Sequence, residues 1–203
     1  MDCVSEYYSL HINCGGGKVK DDDDGTPYEA DTATGGASNF ERSWSNWVFS
    51  STGHFLGSDD TSLYIKANTS SISGKKPQLY MNARVSPLSL SYYGFCLGNG
   101  NYTVSLHFAE IVFTGDRTYS SLGRRLFDVY IQGKRVLKDF NIEDEADGVN
   151  IGIVKNVSAV VDNNTLDIRF YWAGRGTNSI PYFGEYGPLI SAISVNPSKL
   201  RIL

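Results

Sequence analysis

Acidic side chains are concentrated in one run of the 203-residue chain, at residues 21–24, directly before Gly25. Such a run could bind calcium, whose ligands in proteins are mainly carboxylate and carbonyl oxygens. If Gly25 took the sixth position of an EF-hand loop, Lys20 would occupy the first ligand position, where an ammonium group cannot bind the ion. The sequence therefore predicts a solvated acidic loop and no metal site, with a weak, irregular calcium site as the alternative.

Catalytic motifs are not found in the sequence. The three histidines lack the spacing of a metal motif, and no nucleophile elbow, zinc-protease or phosphate-loop pattern occurs. Two carboxylates among Glu110, Asp116 and Asp128 could in principle hydrolyse a glycoside, but 22 acidic residues produce such pairs by chance. We therefore expect no catalytic residues, no cofactor and no enzyme activity.

Aromatic residues carry a stronger signal, because 13 Tyr, 10 Phe and 3 Trp make up 13% of the chain. Their rings can stack on the apolar C–H faces of sugars, while nearby Asp, Asn and Arg side chains bind the hydroxyl groups. Four aromatics are in phase with aliphatic strand residues and are expected in the core: Phe108, Phe127, Phe170 and Trp172. Loop aromatics are the candidates for an exposed binding surface: Tyr80, Phe113, Tyr182, Phe183 and Tyr186.

Charge and hydropathy argue against two classes of partner. The chain has 18 basic and 22 acidic residues, for a net charge of −4, which provides no basic surface for nucleic acid or an anionic membrane. No apolar run approaches ~18 residues, so we expect no membrane contact within this fragment. Four N-glycosylation sequons favour a secreted protein, at Asn68, Asn101, Asn156 and Asn163.

The three cysteines allow several pairings. Cys14 ends a predicted strand and Cys96 precedes the central one, so a bridge between them is possible. Cys3 could instead pair with Cys14, or with a partner outside the sequence. Spacing alone does not choose, since one bridge among three cysteines has three options.

Apolar and polar residues alternate with a period of two, which predicts half-buried strands. The apolar positions are Leu10 and Ile12; Val104, Leu106 and Phe108; Phe127, Val129 and Ile131; and Leu166, Ile168, Phe170 and Trp172. Turn residues separate these runs at 98–101, 133–134 and 162–164, and a last strand is predicted over 189–195. Because no convincing amphipathic helix accompanies them, the sequence predicts an all-β, antiparallel β-sandwich.

Residues 15–62 have a different composition. They are rich in Gly, Asp, Ser and Thr, yet they also carry six aromatic residues, which a disordered linker would rarely contain. We predict long ordered loops that pack on the sandwich. Because no internal repeat or interdomain linker is found, the chain should form one domain.

Seven segments carry a combined pattern: 10–16 (LHINCGG), 28–31 (YEAD), 79–84 (LYMNAR), 94–97 (GFCL), 101–111 (NYTVSLHFAEI), 127–133 (FDVYIQG) and 186–193 (YGPLISAI). Together they resemble the malectin domain of the plant type. The resemblance runs from about Tyr7 to Val195. It implies an N-terminal tail or linker over 1–6, a single malectin domain over 7–196 and a C-terminal tail over 197–203.

The resemblance implies a jelly-roll-like, lectin-like sandwich with a sensing role. Domains of this type lie outside the cell in leucine-rich-repeat receptor kinases, between the repeats and a single membrane span. This fragment is accordingly expected to be soluble, on the extracellular side of the plasma membrane. Any kinase activity would reside in a cytoplasmic region that the sequence does not include.

The animal member of the family binds glucosylated N-glycans through four aromatics and an aspartate on loops. When those pocket positions are aligned with this sequence, only one of them is still aromatic, at Phe113. Two pocket tyrosines fall on Val85 and Val112, the aspartate falls on Tyr186, and the last tyrosine falls near Thr52. The animal pocket is therefore mostly missing, and glucosylated N-glycan binding is not expected.

Two functions follow from the resemblance. The first is non-catalytic binding of a cell-wall oligosaccharide, with Phe113 and Tyr186 as stacking platforms and Tyr80 and Arg84 nearby. The alternative for Phe113 is a loop anchor that packs inward. The second is an interaction module with a degenerate sugar site, whose partner would be a co-receptor ectodomain or a secreted peptide.

Overall fold

A computed structural model describes residues 3, 5–43, 45–56, 60–115, 123–177 and 185–198. In these residues the backbone forms fifteen strands and one α-helix, together with short 3-10 turns at Thr61–Tyr64 and Pro77–Tyr80. The elements are β1 Leu10–Cys14, β2 Val19–Lys20, β3 Pro27–Asp31, β4 Ser38–Arg42, β5 Trp47–Thr52, β6 Ile65–Ala67, β7 Asn82–Val85, β8 Ser89–Phe95, β9 Gly100–Phe108, β10 Phe127–Ile131, β11 Lys134–Phe140, α1 Ile142–Ala146, β12 Ile153–Val161, β13 Thr165–Tyr171, β14 Leu189–Ile190 and β15 Ala192–Pro197.

Two six-stranded sheets form the sandwich. Sheet 1 has the order β12-β9-β15-β1-β3-β2, and sheet 2 has the order β11-β10-β13-β8-β5-β4. A third, small sheet consists of β14, β7 and β6. The described strand pairs are antiparallel except for β1 and β3, which run parallel. The predicted all-β, jelly-roll-like sandwich is confirmed, as are the strands at 10–12, 103–108, 127–131 and 166–170. The single strand predicted over 189–195 is divided into β14 and β15, which belong to different sheets.

The core lies between the inner faces of the two sheets. Val104, Leu106 and Phe108 are fully buried, as the alternation in β9 predicts. The ring of Phe108 lies 4.9 Å from that of Phe140 and 6.2 Å from that of Phe170. Burial of each such side chain stabilises the fold by roughly 1.5–3 kcal/mol, so these rings help to hold the two sheets together.

The prediction of loops over residues 15–62 is wrong in part, because this stretch contains β2, β3, β4 and β5. In β5 the side chains of Trp47, Val48 and Phe49 are all buried. A strand that is covered on both faces at one end shows no apolar–polar alternation, which removes the signal on which the prediction rested. The aromatics of this stretch include core residues of the sandwich.

The described cysteines form one disulfide, between Cys3 and Cys96. Cys14 is a buried free thiol, so the suggested Cys14–Cys96 and Cys3–Cys14 bridges are wrong. The backbone N–H of Tyr7 donates to the carbonyl of Cys96 at 2.7 Å, beside the bridge. The bridge thus ties residue 3, in the segment predicted to be a tail or linker, to the end of β8.

Candidate functional site

Phe113 and Tyr186, the two predicted stacking platforms, lie inside the protein. Phe113 is 3% exposed and Tyr186 is 6% exposed. The ring of Tyr186 packs against Phe55 with centroids 5.6 Å apart, and the guanidinium of Arg125 lies 4.8 Å above the ring of Phe113. We call Phe55, Phe113, Tyr186 and Arg125 the loop-end cluster. Its rings have no free face on which a sugar could stack.

A buried ion pair between Arg125 and Glu110 holds the guanidinium against the ring of Phe113. Arg125 Nε donates to Glu110 Oε2 at 2.8 Å, and both side chains are almost fully buried. Glu110 Oε1 accepts hydrogen bonds from the backbone N–H groups of Val112 and Phe113, each at 3.0 Å. Arg125 also donates to the carbonyl of Gly187. Phe113 is the one aromatic kept from the animal family member's pocket positions, and here an arginine lies over its ring.

Gly187 allows two backbone segments to approach each other closely. Its φ is +83°, and a Cβ at this position would lie 2.1 Å from the carbonyl oxygen of Ser86. Only glycine adopts this backbone conformation without strain. The chain at Gly187 can therefore lie directly against the backbone of Ser86.

Tyr80 is buried on the outer face of sheet 1. It ends the 3-10 turn Pro77–Tyr80, and its hydroxyl lies 3.3 Å from His107 Nδ1. Burial raises the pKa of Tyr80 and lowers the pKa of His107 to about 4. These shifts reflect desolvation of the charged forms. The hydroxyl of Tyr80 is used inside the protein and does not face solvent.

Arg84 is also buried, in β7, where it binds Asp31. Its Nε donates to Asp31 Oδ2 at 2.7 Å, and its Nη2 donates to Oδ1 at 2.6 Å. The guanidinium lies 4.0 Å from the ring centroid of Phe49, and Tyr92 donates to the same carboxylate. Arg84 is therefore committed to a structural network and is not available to a ligand.

The expectation that these four residues form an exposed surface is wrong. Arg125 lies over the ring of Phe113 and donates to the carbonyls on either side of Tyr186, while Tyr80 and Arg84 lie in other parts of the fold. Buried ion pairs and ring contacts, which require partners distant in sequence, draw them inward. Tyr182 and Phe183, the other loop aromatics, lie outside the described residues.

The acidic run is partly internal rather than fully solvated. Asp21 is buried and forms an ion pair with Lys76, which also reaches Asp24 at 3.3 Å. Hydrogen bonds from Thr26 lower the pKa of Asp24 to about 2. Among the described residues, no three His, Cys, Asp or Glu side chains are grouped as metal ligands.

An aromatic pocket that the sequence did not predict lies on the outer face of sheet 2. It has a volume of about 440 Å³. We call it the sheet-2 aromatic pocket, and its principal residues are Leu88, Asp128, Tyr130, Tyr171 and Trp172. Tyr171 is 41% exposed, and Tyr130 and Trp172 are partly exposed. Unlike the loop-end cluster, this pocket offers aromatic surface to solvent.

Hydrogen bonds hold the sheet-2 aromatic pocket in shape. Asp128 pairs in register with Tyr171, so its carboxylate lies beside that ring's strand. Asp128 Oδ2 accepts from the Tyr130 hydroxyl at 3.3 Å and from Arg135 Nη1 at 3.1 Å. Trp172 Nε1 donates to the carbonyl of Arg175 at 2.6 Å, which fixes the indole. The pocket lining therefore combines three aromatic rings with a carboxylate, and the half-exposed guanidinium of Arg135 is hydrogen-bonded to that carboxylate from outside the lining.

Trp172 corrects a second prediction. The alternation placed it in the core with Phe170, but β13 ends at Tyr171 and the indole is only partly buried. The apolar–polar alternation indicates which side chains face the core only within a strand, and Trp172 lies just beyond the end of β13. Tyr130 and Tyr171 occupy positions that alternate with the apolar residues of their strands. This position in the alternation indicates that they face away from the core.

The four sequon asparagines differ in exposure. Asn101, Asn156 and Asn163 are exposed, whereas Asn68 is 9% exposed and its Nδ2 donates to Asn150 Oδ1 at 3.4 Å. Asn101 and Asn156 lie on β9 and β12 of sheet 1. The sheet-2 aromatic pocket has no sequon asparagine in its lining.

The fold and the motifs agree with one family. The family model for the malectin domain matches residues 8–193. The chain belongs to the malectin domain family. A probable leucine-rich-repeat receptor-like serine/threonine-protein kinase of Arabidopsis thaliana is 53% identical over 208 residues, which cover 98% of this malectin domain and 20% of the relative. This malectin domain spans about a fifth of the length of the curated relatives it matches.

Solved structures show the same fold at low identity. The plant receptor-like kinase FER is 18% identical with a TM-score of 0.63, over 96% of this malectin domain and 43% of that chain. A complex of the plant peptide RALF23 with FER and LLG2 gives a TM-score of 0.60 at 18% identity, over 97% of this domain and 41% of that chain. Among the described residues, no helix has the length and apolar character to cross a membrane.

Proposed function

We propose that this malectin domain is a non-catalytic oligosaccharide-binding module of a plant receptor kinase, with its binding site in the sheet-2 aromatic pocket. The exposed ring of Tyr171 is the observation that carries the proposal. It lies in an open pocket with two further aromatics, which is the arrangement that binds the apolar face of a pyranose.

Polar groups around the pocket would orient the sugar. The Asp128 carboxylate is buried, while Arg135 beside it is half exposed and can donate to a hydroxyl group. Both belong to one hydrogen-bonded set that also includes Tyr130. Because these groups are already fixed, binding a sugar would cost little additional side-chain ordering.

The ligand class proposed is a cell-wall oligosaccharide, and the location is the extracellular side of the plasma membrane. The relatives are receptor-like kinases, and three exposed sequons fit secretion of this part of the chain. Kinase activity would belong to another region of such a receptor. Chromogenic glycosides incubated with the secreted chain should give no turnover above buffer.

Calorimetry tests the sugar-binding proposal. The secreted chain is titrated with cello-, xylo-, manno- and pectic oligosaccharides, and so are the variants Tyr171→Ala and Phe40→Ala. Phe40 is the matched control, because it is 66% exposed on the same sheet but does not line the pocket. We expect saturable heat with one class, at least tenfold weaker binding in Tyr171→Ala and unchanged binding in Phe40→Ala. Absence of saturable heat across the panel, or equal affinity in Tyr171→Ala, would overturn the proposal.

A second candidate function is binding of a peptide or a co-receptor ectodomain. Phe113, the one aromatic kept at the position of the animal family's sugar site, is buried beneath Arg125, which favours a change of partner. A protein of the same fold, FER, occurs in a complex with the peptide RALF23 and with LLG2. Light scattering of the secreted chain mixed with a co-receptor ectodomain would detect a stable complex of this kind.

A further inference from the structure

A cleft lies where the two sheets meet. Its volume is about 760 Å³, and it separates β3 of sheet 1 from β4 and β5 of sheet 2. We call it the β3–β4 cleft. The side chains that line it include Tyr7, Lys18, Glu29, Glu41, Arg42 and Trp47. It is distant in the sheet order from β10 and β13, which carry the sheet-2 aromatic pocket.

Strand edges border the cleft on both sides. β4 is the last strand of sheet 2 and pairs only with β5, so its other edge has no neighbouring strand among the described residues. β2 covers β3 only at Pro27 and Tyr28, which leaves the rest of that edge open in the described structure. Open edges present unpaired backbone N–H and C=O groups, to which an extended segment can add as a strand.

Charges of both signs line the two walls. Lys18 and Glu29 lie on the sheet 1 side, and Glu41 and Arg42 lie on β4. Within the described residues, none of Lys18, Glu41 and Arg42 forms an ion pair. These charges are thus available to side chains of opposite sign, and complementary charge selects partners and registers them.

The aromatic surface of the cleft is small. Trp47 is 3% exposed, and its Nε1 donates to Glu29 Oε2 at 2.7 Å, so the indole forms part of the floor. Tyr7 is exposed, but it stands without a second exposed ring beside it in the cleft lining. Four charges and a strand edge suit a peptide better than a neutral sugar, which needs stacking surfaces.

The opposite seam of the sandwich provides a contrast. There a cleft of about 630 Å³ separates β11 from β12, and Gln132 crosses it to donate to the carbonyl of Val160 at 2.9 Å. β12 also carries the exposed sequon residue Asn156 on this edge strand. The described residues that line the β3–β4 cleft include no asparagine, so none of them can carry an N-linked glycan.

We propose that the β3–β4 cleft binds an extended peptide that carries neighbouring acidic and basic side chains and adds as a strand to the edge of β4. The peptide backbone would pair with β4, while its basic groups contact Glu41 and Glu29 and its acidic groups contact Arg42 and Lys18. This inference locates the second candidate function and is independent of sugar binding at Tyr171.

Selection of peptides tests the proposal. A phage-displayed library of random dodecapeptides is selected on the secreted chain, and the enriched peptides are synthesised. Their affinity is measured for the parent, for the charge swap Glu41→Lys/Arg42→Glu, and for the matched swap Lys134→Glu/Asp162→Lys at the opposite seam. We expect enriched peptides of mixed charge that bind the Glu41→Lys/Arg42→Glu variant at least tenfold more weakly and bind the control swap as they bind the parent.

Further measurements separate this proposal from sugar binding. Tyr171→Ala should retain peptide binding, and N-methylation of the peptide backbone should abolish it because strand pairing needs the N–H groups. In ¹⁵N–¹H spectra the peptide should move the indole signal of Trp47 and not that of Trp172. A library that yields no binder, or binders unaffected by the charge swap at β4, would overturn the proposal whether or not the chain binds sugar.

Discussion

Two aromatic clusters of the malectin domain contain similar side chains and have opposite exposure. The loop-end cluster places Phe113 and Tyr186 in the core, whereas the sheet-2 aromatic pocket presents Tyr171 to solvent. The difference depends on the neighbours. Glu110 holds Arg125 over the first cluster, but no described element covers the outer face of β13. Residue type therefore indicates what a side chain can bind, and its neighbours decide whether it is accessible.

The largest difference between the clusters should appear when the buried ion pair is broken. Arg125→Ala leaves the Glu110 carboxylate buried without its partner, which costs about 3–5 kcal/mol of the free energy of unfolding. Arg124→Ala is the matched control, because its pair with Asp144 is exposed and should contribute less than about 1 kcal/mol. Urea unfolding measures both values. If both substitutions lowered the free energy of unfolding by the same amount, the Arg125–Glu110 pair would not be buried as described.

Phe113→Ala tests the same cluster through packing. The ring is 3% exposed, so its removal should lower the free energy of unfolding by about 3–5 kcal/mol. If Phe113 were a stacking platform on the surface, the substitution would instead weaken sugar binding while the fold survives. Chemical unfolding decides between the two accounts. A decrease of less than about 1 kcal/mol in the free energy of unfolding would instead indicate that Phe113 is exposed at the surface.

Tyr171→Ala should weaken ligand binding and leave the stability of the fold almost unchanged. Its side chain is partly exposed on the outer face of β13, so the free energy of unfolding should change by about 0.5 kcal/mol or less. Oligosaccharide binding should weaken at least tenfold, which corresponds to about 1.4 kcal/mol of binding free energy. Unfolding and calorimetry on the same sample check both parts. A large loss of stability would mean that the ring supports the fold rather than a ligand.

Tyr186→Phe should have the smallest effect. The variant keeps the ring packed on Phe55 and loses only the hydroxyl, which accepts a hydrogen bond from the Leu56 N–H at 3.4 Å. The free energy of unfolding should fall by about 1 kcal/mol or less. Sugar affinity should remain that of the parent. A tenfold loss of affinity would instead place the Tyr186 hydroxyl in the binding site.

The sequence predicted the fold better than the site. Alternation located β9, β10 and most of β13, because each has one apolar face against the core and one polar face. It failed at β5, where Val48 on the other face is buried as well. The resemblance to malectin domains correctly gave the family and the sandwich.

The binding surface could not be predicted in the same way. Burial of Arg84 depends on Asp31, which is 53 residues away, and burial of Arg125 depends on carbonyls near residue 187. Cysteine pairing likewise joins residues 93 positions apart. Such contacts arise from the whole fold, so periodicity and residue type do not reveal them. The local sequence indicated the pocket only through the positions of Tyr130 and Tyr171 on the polar faces of their strands.

The most direct test of the proposed site follows the indole N–H signals during titration with the oligosaccharide that gives saturable heat. Trp172 lies in the sheet-2 aromatic pocket and Trp47 forms the floor of the β3–β4 cleft, so the two signals report on different sites. We expect the Trp172 signal to shift with saturation while the Trp47 signal stays in place, and we expect Tyr171→Ala to abolish the shift. A saturable shift at Trp47 with no change at Trp172 would contradict the proposed sugar site.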